Sequence, residues 1–223
     1  MPPTALLDRW QARAEGCTVA PVYPDGCRDL ILRQRPNQAP QWFVSALVVS
    51  AYEVTAMPGE RFTGFRLRPA AVVREAPLLA AVRGLTSPDD DRVLESISTH
   101  APVDPRLDEA LLALARSPRV DVAARALGIG ERTLQRCLVG CTGHTPAAWL
   151  ALARARRAVH AMAAQPQLPL VELALSTGYA DQAHMGREFK RWFGCPPGRM
   201  ARHPDWLNVA AASGYGQAAA HLR

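Results

Sequence analysis

The sequence predicts an α+β chain: a small antiparallel β-rich N-terminal domain followed by an all-α domain of two helix-turn-helix units joined by a linker helix. Three observations carry this reading. Runs rich in Val, Ile and aromatic residues, broken by turn residues, fill the first hundred positions. From Asp104 onward the apolar spacing becomes that of a 3.6-residue helix. Within the helical part, a stretch of about 25 residues occurs twice, following the general reading of repeats as structural units.

The 223 residues, 48% hydrophobic, suffice for one large or two ordinary domains with real cores. No apolar run approaches membrane-spanning length, and MPPTALLDRW lacks the apolar core of a secretory signal, so a soluble cytoplasmic chain is expected. Five cysteines without a C-x-x-C pair argue against a disulfide framework or a zinc finger. Charge is distributed unevenly. Residues 1–115 hold 12 Arg against 14 acids, a balance of −2, whereas residues 116–223 hold 14 Arg and Lys against 6 acids, a balance of +8. A local excess of that size suits a nucleic-acid partner, although an anionic membrane or an acidic protein would satisfy it equally.

Element by element, TALLDRWQARA carries a short helical pattern in Leu6, Leu7, Trp10 and Ala14. Strands are expected in CTVAPVY, RDLILRQ, QWFVSALVVSAYEVTAM and RFTGFRLR, four to six in a small sheet or partial barrel. Turn signals at Pro24-Asp25-Gly26, Pro36-Asn37 and Pro58-Gly59 separate them. Two short helices follow, one from Ala70 to Arg83 interrupted by Pro77, and one with Ser87 as N-cap and Pro88 at N1. Asp104-Pro105 opens a helix whose buried stripe is Leu107, Leu111 and Leu114 and which ends near Ser117-Pro118. The domains so defined are 1–102, 103–205 and a C-terminal tail, 206–223, whose small residues and glycines predict poor order.

The repeat sets Val122 to Pro146 against Glu172 to Pro197. Before the turn Ala124 matches Ala174 and Gly128 matches Gly178, an offset of 50. After it Leu134, Arg136, Leu138, Gly143 and Pro146 match Met185, Arg187, Phe189, Gly194 and Pro197, an offset of 51. One residue is therefore inserted in the second turn. Each copy has the plan of a helix-turn-helix: a small inward residue, a glycine that ends the first helix at positive φ, then a projecting helix. Asp181 is placed to cap the second projecting helix, whereas Gly130 leaves the first less well capped.

In this arrangement the exposed N-terminal side chains of the projecting helices are the ones that reach base edges. These are Glu131, Arg132, Thr133, Gln135 and Arg136 in the first copy, and Gln182, Ala183, His184, Gly186, Arg187 and Lys190 in the second. Arg191 and Lys190 suit phosphates. Met185, Phe189, Trp192 and Phe193 are expected in the core, as are Trp149 and Leu150. The linker helix, Ala147 to Gln165, spans roughly 27 Å, and with the bulk of the two units this suits helices about 34 Å apart, one turn of B-DNA. Arg154, Arg156 and Arg157 on it are candidates for phosphate contact or for a solvated basic face.

At these residues the region from about Asp104 to His203 resembles the AraC/XylS family DNA-binding domain. The match is most specific in the second unit, G-Y-x-D-Q-x-H-x-x-R-x-F-K-R-x-F-G-x-x-P. Met185 stands where the family usually has Phe, and Gly130 and Ala183 where Ser is common. YPDGCRDLILR and GFRLRPAA resemble motifs in the small β-rich N-terminal sensor domains of a subset of AraC-like regulators. The resemblance implies seven helices in the DNA-binding part and transcriptional regulation at a promoter, in association with the bacterial nucleoid. The implied partners are double-stranded promoter DNA, RNA polymerase and a small-molecule effector, with monomer and homodimer both allowed. It calls for no cofactor, no metal and no membrane, and singles out no effector-binding residue.

Two other readings compete. Cys27 follows a Pro-Asp-Gly turn beside Arg28, whose charge could lower a thiol pKa enough for electrophile or redox sensing; the alternative is a small buried side chain. Cys137 and Cys141 lie four apart on one helix with no third ligand nearby, so packing is the simpler account. A non-specific architectural protein would use the basic half through phosphates alone, but the two groove-facing sets differ, which suits an asymmetric site. No Ser/His/Asp set, phosphate-binding glycine loop or metal-spaced cluster appears, and an enzyme is not expected.

Overall fold

The computed structural model describes residues 4–89 and 91–216. They divide into two compact units. One comprises the chain up to Ala20 with 27–47 and 53–108; the other comprises 21–26, 48–52 and the chain from Glu109 onward.

In the first unit, strands β1 (Leu6–Arg13), β3 (Asp29–Gln34), β4 (Gln41–Val44) and β6 (Arg61–Leu67) form an antiparallel sheet in the order β1-β6-β3-β4. Strands β2 (Thr18–Val22) and β5 (Tyr52–Ala56) form a separate two-stranded sheet. Six strands among the described residues fall within the expected four to six. One face of the larger sheet is covered by helices α1 (Glu75–Val82) and α2 (Asp91–His100). Leu30, Phe65 and Leu67 pack there against Leu78, Val82, Val93 and Ile97, each at most 2% exposed. The opposite face is held by charge: Asp29 accepts from Arg66 Nε at 3.2 Å and from Trp10 Nε1 at 3.2 Å. Glu60, 2% exposed, takes Arg33 and Arg35 at 2.8 Å each. Burial pushes the Glu60 carboxyl up, but the Met57 amide and the two guanidiniums outweigh it and hold its pKa low.

Three local expectations are corrected. TALLDRWQARA is strand β1, not helix. Gly64 opposite Trp10 is the reason: a Cβ at Gly64 would lie 2.0 Å from the indole, so the bare glycine makes the seat in which Trp10 lies, and strand pairing prevails over local propensity. Helix α1 begins at Glu75 rather than Ala70, and Pro77 does not interrupt it. It occupies the first turn, where backbone N–H groups have no intrahelical acceptor to lose. Ser87 does not cap a helix at Pro88; its Oγ accepts from Asp89 N at 3.2 Å in a turn, and α2 starts at Asp91.

Asp104 caps helix α3 (Pro105–Arg116) as expected, its Oδ1 accepting from Arg106 N at 2.9 Å and Leu107 N at 3.2 Å. In the second unit α4 (Val120–Ala126), α5 (Glu131–Thr142), α6 (Pro146–Ala164), α7 (Leu170–Ser176), α8 (Gln182–Phe193) and α9 (Pro197–Met200) follow. These six and α3 are the seven helices that the family resemblance implies. The expected tail is corrected in part, because Pro204–Ala210 is an eighth helix, α10, and Tyr215 beyond it is 3% exposed. The Tyr215 ring meets Trp149 edge-on at 4.8 Å, and its hydroxyl donates to Leu111 O at 3.0 Å. A tyrosine with both apolar body and hydroxyl accommodated anchors a stretch that composition alone reads as loose. Residues 217–223 of that expectation lie outside the described residues.

Candidate nucleic-acid interface

The sequence repeat is a repeat of hydrogen bonds. At the end of α4, Gly128 has φ 67°, its N–H donates to Arg125 O, and Ile129 N donates to Ala124 O. At the end of α7, Gly178 has φ 91°, its N–H donates to Leu175 O, and Tyr179 N donates to Ala174 O. Both are Schellman endings, for which a residue without a Cβ is the natural occupant. Ala124 and Ala174 are 2% and 0% exposed, the small inward residues of each pair. The N-cap comes two residues after the glycine in the first helix-turn-helix copy, at Gly130, and three after it in the second, at Asp181. That is the inserted residue. Asp181 Oδ1 accepts from His184 N at 2.6 Å, whereas Gly130 offers no side-chain acceptor.

On α5, Glu131, Arg132, Thr133, Gln135 and Arg136 are exposed while Leu134 and Leu138 are fully buried. On α8, Gln182, Ala183, Arg187, Lys190 and Arg191 are exposed, and Met185, Phe189, Trp192 and Phe193 are at most 2% exposed. The expected division of each helix into a buried stripe and an open face is thus present. His184 is half-buried instead of open. Its ring meets Tyr179 edge-on at 5.3 Å, and its Nδ1 accepts from Ala180 N at 3.4 Å, which leaves Nε2 as the donor for an outward contact.

The three linker arginines, candidates for phosphate contact or a solvated face, each have partners within the second compact unit, and only Arg156 is fully buried. Arg154 pairs with Glu188 of α8 at 3.0 Å and lies 4.9 Å over the Tyr179 ring. Burial, with Glu188 beside it, pushes the Tyr179 hydroxyl pKa up, so the ring stays neutral there. Arg157 donates to Ala115 O at 2.7 Å. Arg156, 1% exposed, donates to Ala212 O at 2.6 Å, Tyr215 O at 2.9 Å and Ala210 O at 3.3 Å, gathering the carbonyls at and just past the C-terminal end of α10. Burial and the Arg156 charge together hold the His160 pKa down. The sequence did carry a signal for this: α6 is apolar nearly all round, which marks a buried helix, so cations on it must find partners inside.

Two contacts on α8 escaped the sequence reading. Ala51 N donates to Trp192 O at 2.9 Å, and Tyr23 meets Phe193 edge-on at 5.8 Å, so stretches 48–52 and 21–26 close the C-terminal end of this helix inside the second unit. They satisfy a terminal carbonyl that the helix itself cannot. In the first helix-turn-helix copy the cations at the start of α4 are partly neutralised. Asp121 takes Arg119 at 2.5 Å and Arg125 at 2.8 Å, and these bonds lower its pKa to about 2.

A family model described as a helix-turn-helix domain matches residues 123–203, from within α4 to the residue before α10. Over residues 123–203 the chain is similar to AraC-type helix-turn-helix domains. Among similar proteins, the transcriptional regulator ExsA of Pseudomonas aeruginosa is 27% identical over 82 residues, covering 37% of this chain and 29% of its own. VirS of Mycobacterium tuberculosis, also a transcriptional regulator, is 37% identical over 109 residues, covering 45% of this chain and 31% of its own. The chain thus spans about a third of the length of the curated relatives it matches. A crystal structure of ToxT from Vibrio cholerae aligns over 91% of this chain and 98% of that one with a TM-score of 0.51 at 8% identity, a likeness of fold that takes in the β-rich part as well.

Cys27 is 5% exposed, the placement of the packing alternative rather than of an accessible thiol. Cys137 is half-buried and Cys141 exposed on α5. Among the described residues no helix is long and apolar enough to cross a membrane.

Proposed function

We propose that the chain is a sequence-specific DNA-binding transcription regulator that reads a bipartite promoter site with α5 and α8. The observation that carries this is the duplicated unit: two projecting helices with equivalent buried stripes, each keeping a different set of polar side chains exposed. Direct contact is assigned to Glu131, Arg132, Thr133, Gln135 and Arg136 in one half-site, and to Gln182, Ala183, His184, Arg187, Lys190 and Arg191 in the other. Arg187 and Arg136 are the side chains suited to guanine, and Lys190 and Arg191 to phosphate. With Arg154, Arg156 and Arg157 committed inside the unit, the exposed cations of α5 and α8 carry the phosphate attraction. Residues 1–102 act as the sensor part and 103–205 as the DNA-binding part, with RNA polymerase as the downstream partner.

Footprinting of the purified chain on the DNA flanking its own gene tests the reading. Two protected patches about one helical turn apart are expected. Affinity that is the same on every duplex, with only a steep salt dependence, would instead mean phosphate contact without base readout.

A further inference from the structure

On the core face of the larger sheet, side chains form rows across β1, β6 and β3. The row Arg9, Phe65, Leu30 lies where α1 and α2 cover the sheet. Two rows further along, Arg13, Arg61 and Gln34 stand side by side, and the two arginines are exposed. The intervening row contributes Gln11 and the buried Thr63. Here a cleft of about 540 Å³ opens, bounded on its far side by Thr86, Ser87 and Pro88. Gln34 Nε2 donates to Thr86 O at 3.2 Å and ties that rim to the sheet. The volume falls within the range of small-molecule sites.

The charge in the cleft is of one sign. Arg13 and Arg61 are directly opposed in the β1–β6 ladder, an arrangement that destabilises a sheet when the charges are alike. No carboxylate is among the described residues lining it. Glu60, next to Arg61 in sequence, is taken by Arg33 and Arg35, and Asp89, next to the rim residue Pro88, by Arg9 at 2.6 Å. An anion placed between the two guanidiniums would turn a repulsive pair into an attractive set, through forked N–H donors matched to carboxylate or phosphate oxygens. The Thr63 and Ser87 hydroxyls line the same space.

We propose that this cleft is a binding site for a small anionic molecule, a carboxylate or a phosphate ester, held between Arg13 and Arg61. The site does not depend on the DNA reading, and its occupancy can be measured on the free chain. The experiment is calorimetric titration of the full chain at fixed ionic strength in chloride, with inorganic phosphate in one arm and succinate in the other. One arm is expected to saturate at one site per chain, and that arm assigns the headgroup. Arg61→Gln should weaken it at least tenfold and Arg13→Gln should do likewise, with the far-UV circular dichroism of each variant unchanged. Arg187→Ala, on α8, should leave it as it is. Saturation in neither arm, affinity in either cleft variant unchanged from that of the parent chain, or loss of binding in Arg187→Ala would each overturn the proposal. DNA affinity measured with and without the bound anion is a separate readout: binding without any effect on DNA supports the site and counts against the sensor role of residues 1–102.

Discussion

The two helix-turn-helix units share a plan and differ in how firmly the projecting helix is held. Helix α8 begins on a carboxylate cap, buries Met185, Phe189, Trp192 and Phe193, is tied to α6 through Arg154 and Glu188, and has its C-terminal end closed by 48–52 and 21–26. Helix α5 begins on an uncapped glycine and has only Leu134 and Leu138 fully buried. Duplicated geometry therefore does not mean duplicated rigidity. A recognition helix fixed before binding has less ordering to undergo on the DNA, so α8 is suited to strict readout and α5 to a more tolerant one.

The largest effect expected is on stability. Phe189→Ala removes a fully buried ring 5.1 Å from Phe193 and should cost about 3–5 kcal/mol. Its repeat equivalent Leu138→Ala falls within about 2–5 kcal/mol and should be the smaller of the two. Urea unfolding of both variants measures this, and equal losses would break the asymmetry. Next is DNA affinity. Arg187→Ala and Arg136→Ala should each weaken binding by about 1–3 kcal/mol, or roughly 5- to 150-fold, with Arg187 the greater. Scrambling each half-site in turn shows which helix reads it: the Arg187 variant should become indifferent to changes in its own half and remain sensitive to the other.

What the sequence disclosed and what it hid follow from the range of the interactions. Gly128, Gly178 and Asp181 act within one turn of chain, and the spacing of Leu134 or Phe189 declares a buried stripe without knowledge of what covers it. Long-range partners were not legible in this way. Trp10 looked helical because its seat is made by Gly64, 54 positions away. Arg154, Arg156 and Arg157 read as candidates for phosphate contact or for a solvated face, since a charge count cannot tell a cation facing solvent from one that holds Glu188 or the carbonyls near Tyr215. Tyr215 itself sits in a low-complexity stretch whose order depends on Trp149 and Leu111.

The smallest effects expected probe the caps, where the two units differ by one side chain. Asp181→Ala frees the N–H groups at the start of α8 and should cost about 1 kcal/mol. The reverse change, Gly130→Asp, meets no obstacle: Gly130 has φ −76° and ψ 151°, which any L-residue adopts, and nothing lies within 4 Å of an added Cβ. A carboxylate there would accept from the first N–H groups of α5 and interact favourably with the positive end of the helix, for a gain of a few tenths of a kcal/mol over glycine. Hydrogen exchange of the α5 amides reads so small a change better than a melting curve, because fraying of the first turn is local. Slower exchange at Thr133 and Leu134 in Gly130→Asp, with α8 unaltered, would show that the missing cap loosens α5. If exchange is unchanged, the looseness lies in the thinner apolar stripe beneath Leu134 and Leu138 instead.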